Sequence, residues 1–321
     1  MIGRPGGSYR ASLEHIEQAA QMIDPVFLNT PQFVCEPLAK ELGARVALKI
    51  ETSNPIRSFK GRGADLLVSQ AKSDIPLVCA SAGNFGQAMA YACRKRGLKL
   101  TVYASTHANA LKIERMQALG ASIVRIGVDF DAAKLAAKHA AAGLNARFVE
   151  DSLDLETVTG AGTIGLEWLR FPEPLDAMLV PLGNGALFNG IARVLKARSP
   201  RTRLIAVQAA GAPAMIDSWR ADKIIVHDKV DTIADGIAVR VPVAQALEDM
   251  RGLIDDAIVV REESIIQAMR LLHRHAGVVA EPSAAVGIAA ILEQPGAFPG
   301  QLVGTIVCGG NLTAEQMRQW L

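Results

Sequence analysis

Along the chain, runs of consecutive apolar residues rich in Val, Ile and Leu alternate with segments whose apolar positions recur every three to four residues. The runs predict strands over Arg45–Glu51, Ile75–Ala80, Lys99–Ala104, Ser122–Gly127, Ala177–Leu182, Arg203–Ala209 and Leu302–Cys308. The helical period predicts helices between them, among others Gly86–Arg96, Ala110–Leu119, Asp129–Ala142, Leu187–Ala197 and Glu262–His275. Runs that are apolar on consecutive positions suit strands covered on both faces, as in a parallel sheet packed between helices. Strand–helix alternation over nearly the whole length marks an α/β protein. No sequence repeat and no low-complexity linker interrupts it, so composition alone marks no domain boundary.

Two strand–loop–helix units carry unusual loops. After Ile75–Ala80 comes Ser81-Ala82-Gly83-Asn84-Phe85-Gly86, and a helix follows at once. After Ala177–Leu182 comes Gly183-Asn184-Gly185-Ala186, with Leu187 opening the next helix. Glycine permits a sharp turn and lets backbone N–H groups approach a ligand closely. The free N–H groups and positive end of a helix make each loop a plausible anion cradle. Neither loop is specific by itself. The second lacks the spacing of a dinucleotide fingerprint, there is no P-loop lysine, and either loop alone is more readily an ordinary strand-to-helix turn. Together they suggest a ligand with two anionic ends.

Composition narrows the class without naming a function. Of 321 residues, 50% are apolar and 21% charged, with 34 basic against 32 acidic side chains interleaved throughout. No basic stripe or acidic tail stands out, so nucleic acid and anionic membrane are poor partners and a small molecule is the better one. Cys35, Cys79, Cys93 and Cys308 lie far apart with no zinc spacing; Cys79 and Cys93 read as small core residues, in keeping with a reducing cytosol. His273 and His275 fall on different sides of a helix, and no metal site is expected. Met1–Gly7 has no apolar stretch of the kind a secretory signal needs, and Pro282–Leu292 is too short to span a bilayer. A soluble, cytoplasmic protein is expected.

The candidate reactive group is Lys60, in Ser58-Phe59-Lys60-Gly61-Arg62-Gly63-Ala64. A lysine in the first turn of a helix is by default a solvated residue. There its charge opposes the helix dipole, a small cost that a purely structural lysine has no reason to bear. Its neighbours, a serine and an aromatic residue before and two glycines after, are also unusual.

That segment, with Ser81-Ala82-Gly83-Asn84, Gly183-Asn184-Gly185-Ala186-Leu187 and Cys308-Gly309-Gly310-Asn311, resembles the fold-type II pyridoxal-phosphate enzymes, and among them the serine/threonine dehydratases and serine racemases. Thr30-Pro31, Thr232-Ile233-Ala234-Asp235-Gly236 and Glu281-Pro282-Ser283 support the resemblance, which runs from about Ser12 to Asn311. It implies two open, twisted, mostly parallel sheets flanked by helices. A large domain would be made of residues 1–72 and 150–321, and a smaller one of residues 73–149. It further implies that Lys60 holds pyridoxal 5'-phosphate covalently and later acts as base at the substrate Cα. Phe59 and Gly236 would sandwich the pyridine ring. Gly183, Asn184, Gly185, Ala186 and Leu187 would bind the phosphate through backbone N–H groups, and Cys308 would face the pyridine nitrogen. Ser81, Ala82, Gly83, Asn84 and Phe85 would bind the substrate carboxylate, with Asn84 also near the cofactor's phenolic oxygen and Glu281 near the ring. The implied reaction is β-elimination from a 2-amino-3-hydroxy acid, giving a 2-oxo acid and ammonia. In it the leaving hydroxyl would be protonated by the cofactor phosphate or a water. β-Replacement is the alternative, and racemisation a weaker one. A homodimer is common in the family.

Several positions depart from the family pattern. Asn184 and Ala186 stand where the phosphate loop often has glycines, and Ala186 then has to keep a negative φ. Phe85 replaces a frequent His, which could favour a larger apolar β-substituent. Ala82 stands where serine racemase has a serine, so racemisation should be poor. The segment 208–214 lacks the carboxylates of cation-dependent relatives, and little chain follows Asn311, so a C-terminal regulatory domain is not expected.

Overall fold

The computed structural model of the chain describes residues 9–321, so the reading of Met1–Gly7 lies outside the described residues. The strands, in chain order, are β1 Gln32–Val34, β2 Arg45–Ile50, β3 Leu77–Ala80, β4 Leu100–Ala104, β5 Ser122–Arg125, β6 Arg147–Val149, β7 Ala177–Pro181, β8 Arg203–Ala209, β9 Asp256–Val260 and β10 Leu302–Val307. They form two open sheets. The larger has the order β1-β2-β10-β7-β8-β9, parallel except for β1. The smaller has the order β5-β4-β3-β6 and is parallel throughout. The large sheet takes strands from both ends of the chain, with β10 seated between β2 and β7, whereas the small sheet uses one continuous stretch.

Apolar continuity in the sequence translates into burial on both faces. Every residue of β3, β7 and β10 is buried. β5, at the rim of the small sheet, is exposed at both ends. The strands expected from apolar runs are present, most of them trimmed by one or two residues where the chain bends into a loop. β1 and β6 have three residues each, too few for a period to register. Asp256 opens β9 opposite Ile205. Asp255 beside it accepts from Lys196 Nζ at 2.5 Å and Leu204 N at 2.7 Å, a structural role. The helix Glu262–Ala276 shows how the ends are written: Glu262 and Glu263 in the first turn, His273 to His275 in the last, and Gly277 at φ 66° closing it. Among the described residues, no helix is long and apolar enough to cross a membrane.

Three helices meet backbone to backbone beneath the large sheet's site. The helix Leu155–Trp168 contains Gly160, Gly162 and Gly165, and this run of poor helix formers hid it from the periodicity. A Cβ on Gly160 would lie 2.6 Å from Gly63 Cα, and one on Gly63 would lie 2.7 Å from Thr157 Cα. A Cβ on Gly190 would reach within 2.4 Å of Val158 O. The helices Lys60–Ser69 and Ala186–Arg198 are thus both docked on Leu155–Trp168. The glycine next to Lys60 has a similar reason, because a Cβ on Gly61 would strike the Phe27 ring at 2.2 Å.

Because backbone cannot yield as a side-chain tip does, Gly160→Ala is expected to lower unfolding stability by about 1–3 kcal/mol. Urea denaturation of the variant beside the parent chain measures it; an unchanged midpoint would refute the close-contact account.

Candidate active site

Parallel strands leave a crevice beyond their carboxyl ends, where loops and helix starts converge. Here the loops after β3, β6, β7 and β10 surround a cavity of about 360 Å³. Phe59, Lys60, Ser81, Ala82, Gly83, Asn84, Phe85, Gly183, Asn184, Gly185, Ala186, Leu187, Gly236, Glu281 and Cys308, all singled out from the sequence, line this one cavity.

Lys60 is the first residue of its helix. The segment before it is stitched to the end of β10: Phe59 N donates to Cys308 O at 3.0 Å, and Ser58 Oγ donates to the same carbonyl at 3.2 Å. Lys60 Nζ lies 4.6 Å from the centre of the Phe59 ring and donates to Asp151 Oδ2 at 2.5 Å. Two residues on, Arg62 is fully buried and binds Glu51 and Glu167 through both sides of its guanidinium, at 2.6 to 3.0 Å.

In the loop after β7 only Gly185 takes a left-handed conformation, at φ 98°. Asn184 and Ala186 therefore cause no strain, and the Asn184 side chain serves as a buttress, Oδ1 accepting from Val243 N at 3.2 Å. Ala186 N is turned to Ser152 Oγ at 3.2 Å. The amides of Gly183, Asn184, Gly185 and Leu187 meet no protein acceptor among the described residues, which leaves a cluster of free donors at a helix start. In the loop after β3, Ser81 Oγ accepts from Gly83 N at 3.1 Å and Gly86 N at 3.0 Å, which folds the loop over the start of the helix Asn84–Arg96.

Both ends of the Asn84 amide are engaged. Its Nδ2 donates to Glu281 Oε1 at 2.6 Å, and its Oδ1 accepts from Asn311 Nδ2 at 2.9 Å. Glu281 is buried with no cation in contact, and burial pushes its carboxyl up to about 7. Burial, with Glu281 close by, pushes the Cys308 thiol far up, so that it stays neutral. Ser283 Oγ is buried without a hydrogen-bond partner among the described residues, beside the slot left by Gly236.

Sequence reasoning missed Asp151, Ser152 and Lys112 and gave no site role to Asp235 and Ser283, although all five also line the cavity. Lys112 Nζ binds Asp235 Oδ2 at 2.5 Å, tying the helix Ala110–Ala118 to the 3-10 turn Asp235–Ile237. Asp151 follows the three-residue β6, and its contact with Lys60 crosses 91 positions. The available signal was an acidic and hydroxyl triplet, Glu150-Asp151-Ser152, directly after an apolar Phe-Val pair.

Comparison with known proteins bears on what this cavity holds. The family described as pyridoxal-phosphate dependent enzyme matches residues 23–309. The L-threonine ammonia-lyase of Thermotoga maritima is 33% identical over 309 residues, spanning 95% of this chain and 77% of that protein. A serine racemase of Oryza sativa subsp. indica is 30% identical, spanning 97% of this chain and 94% of the other. The structure of maize serine racemase superposes with a TM-score of 0.90 at 28% identity, covering 97% of both chains.

Glu281 gives the site a pH signature. Its folded pKa of about 7 lies above the ordinary carboxylate value of about 4.3, so the stability it contributes is full below the latter and lost as pH rises through the former. Between pH 5 and pH 8 the cofactor-free protein should lose about 2–3 kcal/mol relative to Glu281→Gln, read from urea unfolding at both pH values. Parallel pH profiles for the two proteins would contradict it.

Proposed function

The chain belongs to the pyridoxal-phosphate dependent enzymes, and from that premise we propose that it is an ammonia-lyase: a dehydratase converting a 2-amino-3-hydroxy acid to a 2-oxo acid and ammonia by β-elimination. The observation that carries the reading is one cavity holding a primary amine at Lys60, a neutral thiol at Cys308 and two loops of free amides. These residues fit pyridoxal phosphate. The free amides of Gly183, Asn184, Gly185 and Leu187 suit its phosphate, the unpartnered Ser283 hydroxyl and the Gly236 slot leave room beside its ring, and Lys60 supplies the amine that its aldehyde requires. When bound, the cofactor supplies an electron sink for the bond broken at Cα.

The remaining chemistry falls to the chain. Lys60 Nζ removes the Cα proton. The loop Ser81–Phe85 holds the substrate carboxylate with amides and its helix start. Cys308, uncharged, would not hold the ring nitrogen of bound pyridoxal phosphate protonated as a carboxylate would. A moderate sink favours expulsion of a β-hydroxyl over reprotonation at Cα. The likeness to serine racemases meets an obstacle at Ala82, whose methyl group has no exchangeable proton, so elimination is preferred to racemisation. The stretch 73–149 is taken as a small domain whose closure over the substrate excludes water, and residues 1–72 and 150–321 as the large one. A cytoplasmic homodimer completes the proposal.

Purified protein supplied with pyridoxal phosphate should absorb near ~410–420 nm and lose that band to borohydride, with the label on Lys60. L-serine, L-threonine or a larger 3-hydroxy amino acid should yield 2-oxo acid, and Lys60→Ala should abolish both band and turnover, by at least about 10³-fold. A Lys60→Ala protein of undiminished activity would sink the assignment.

A further inference from the structure

Elimination of hydroxide from an amino acid needs an acid at the β-oxygen as well as a base at Cα. We propose that Asp151 is that acid, the proton partner of Lys60 that delivers the Cα proton to the departing hydroxyl; this rests on the dehydratase reading and deepens it.

Asp151 stands at the reacting centre. Its Oδ2 is 2.5 Å from Lys60 Nζ, and the two side chains are 28% and 17% exposed in the cavity wall. Its Oδ1 is buried and meets no donor among the described residues. One oxygen is thus committed to the amine, and the other has no donor on the protein among the described residues. The neighbours hold the carboxylate in place from both sides. Glu150 N donates to Asp154 Oδ2 at 2.7 Å, and the Glu150 carboxylate is answered by Lys134 at 3.0 Å and Lys138 at 2.7 Å. Ser152 adopts φ 70°, an unusual conformation for a residue with a side chain, fixed by its N–H on Thr157 Oγ1 at 3.0 Å and by Ala186 N on its Oγ. An outlier next to a carboxylate that faces the reactive amine is placement of a kind that surface ion pairs do not require.

The proton balance closes without an external acid. Lys60 Nζ takes the Cα proton and becomes an ammonium, and the Cα–H electron pair forms the Cα=Cβ bond. The ammonium passes one proton to Asp151 Oδ2, which restores the amine. The Asp151 carboxyl gives that proton to the β-oxygen as the Cβ–O bond breaks, its electron pair leaving with the oxygen as water. Amine and carboxylate end in the states in which they began.

The test uses two leaving groups on the holoenzyme. L-Serine or L-threonine, whichever turns over faster, needs a protonated leaving group; β-chloro-L-alanine, losing chloride, does not. Asp151→Asn should lose about 100-fold or more in kcat/KM on the hydroxy acid yet stay within about threefold on the chloride. Asp151→Glu should recover at least about tenfold of that loss. In D2O the Asp151→Asn enzyme should exchange the Cα hydrogen of the hydroxy acid, seen by NMR, faster than it releases 2-oxo acid. Borohydride should still fix cofactor on Lys60 in parental yield. Asp151→Asn activity on the hydroxy acid within about threefold of the parent overturns the proposal. So does an equal loss on both substrates that Asp151→Glu does not rescue, because that pattern is structural. A parent enzyme that eliminates from neither substrate overturns the dehydratase reading, and this proposal with it.

Discussion

A guanidinium with no exposed surface lies two residues beyond Lys60, and the placement of the reactive amine depends on it. Arg62 joins Glu51, just past β2, to Glu167 and Thr163 on the helix Leu155–Trp168. Lys49 Nζ adds a second cation on Glu167 at 2.6 Å, and Thr30 Oγ1 donates to Glu51 at 2.6 Å. Two acids and two bases thus neutralise one another inside the protein. Taking such charges out of water is costly, and losing any one partner strands another, at about 3–5 kcal/mol. What the cluster provides is direction. Glycine contacts let the Lys60 helix approach its neighbour, but apolar contact alone tolerates sliding and rotation. Two carboxylates gripping opposite sides of a planar guanidinium permit one register.

The same physical cause, burial, leads to opposite ends at two glutamates. Burial pushes the Glu167 carboxyl up, but Arg62 and Lys49 in direct contact outweigh it and leave the group at about 2, a permanent anion. Glu281 is equally withdrawn from water and receives only neutral donors, the Asn84 amide and Asn311 N, so burial prevails and its proton is exchangeable near neutrality. The fixed charge therefore sits in the scaffold, and the soft one in the cavity. Cys308 beside Glu281 is neutral, while at the amine end Lys60 is paired with Asp151.

Much of this was legible in the chain because it is local. Apolar runs announce buried strands, and a glycine-rich loop between strand and helix announces a cradle of amides; Lys60, both loops and Cys308 lie in or next to such features. The features that escaped are relational. β6 is too short to carry a period, and nothing about Asp151 in isolation shows that a lysine 91 positions away will meet it. The glycines of Leu155–Trp168 weaken the helical signal for the same reason that they are needed, to bring two other helices into backbone contact. The substitutions at Asn184 and Ala186 looked troublesome because loop glycines are often read as conformational. Only Gly185 has that duty, and Asn184 is free to brace the loop against Val243.

The turn after β6 then has a wider consequence. Asp151 faces the amine, while Ser152, held at positive φ, accepts from the amide that opens the helix Ala186–Arg198. A left-handed residue with a Cβ costs about 1–2 kcal/mol and is kept only where its surroundings impose it. Here Thr157 imposes it from below, on the same helix that carries Glu167 and the glycine contacts. The helix Leu155–Trp168 is consequently the common reference for three things: the Arg62 clamp on the Lys60 helix, the seat of the Ala186–Arg198 helix, and the turn that aims Asp151. Lys60, Asp151 and the loop of free amides are registered against one helix, so the distances between them are set together even though their residues come from distant parts of the chain.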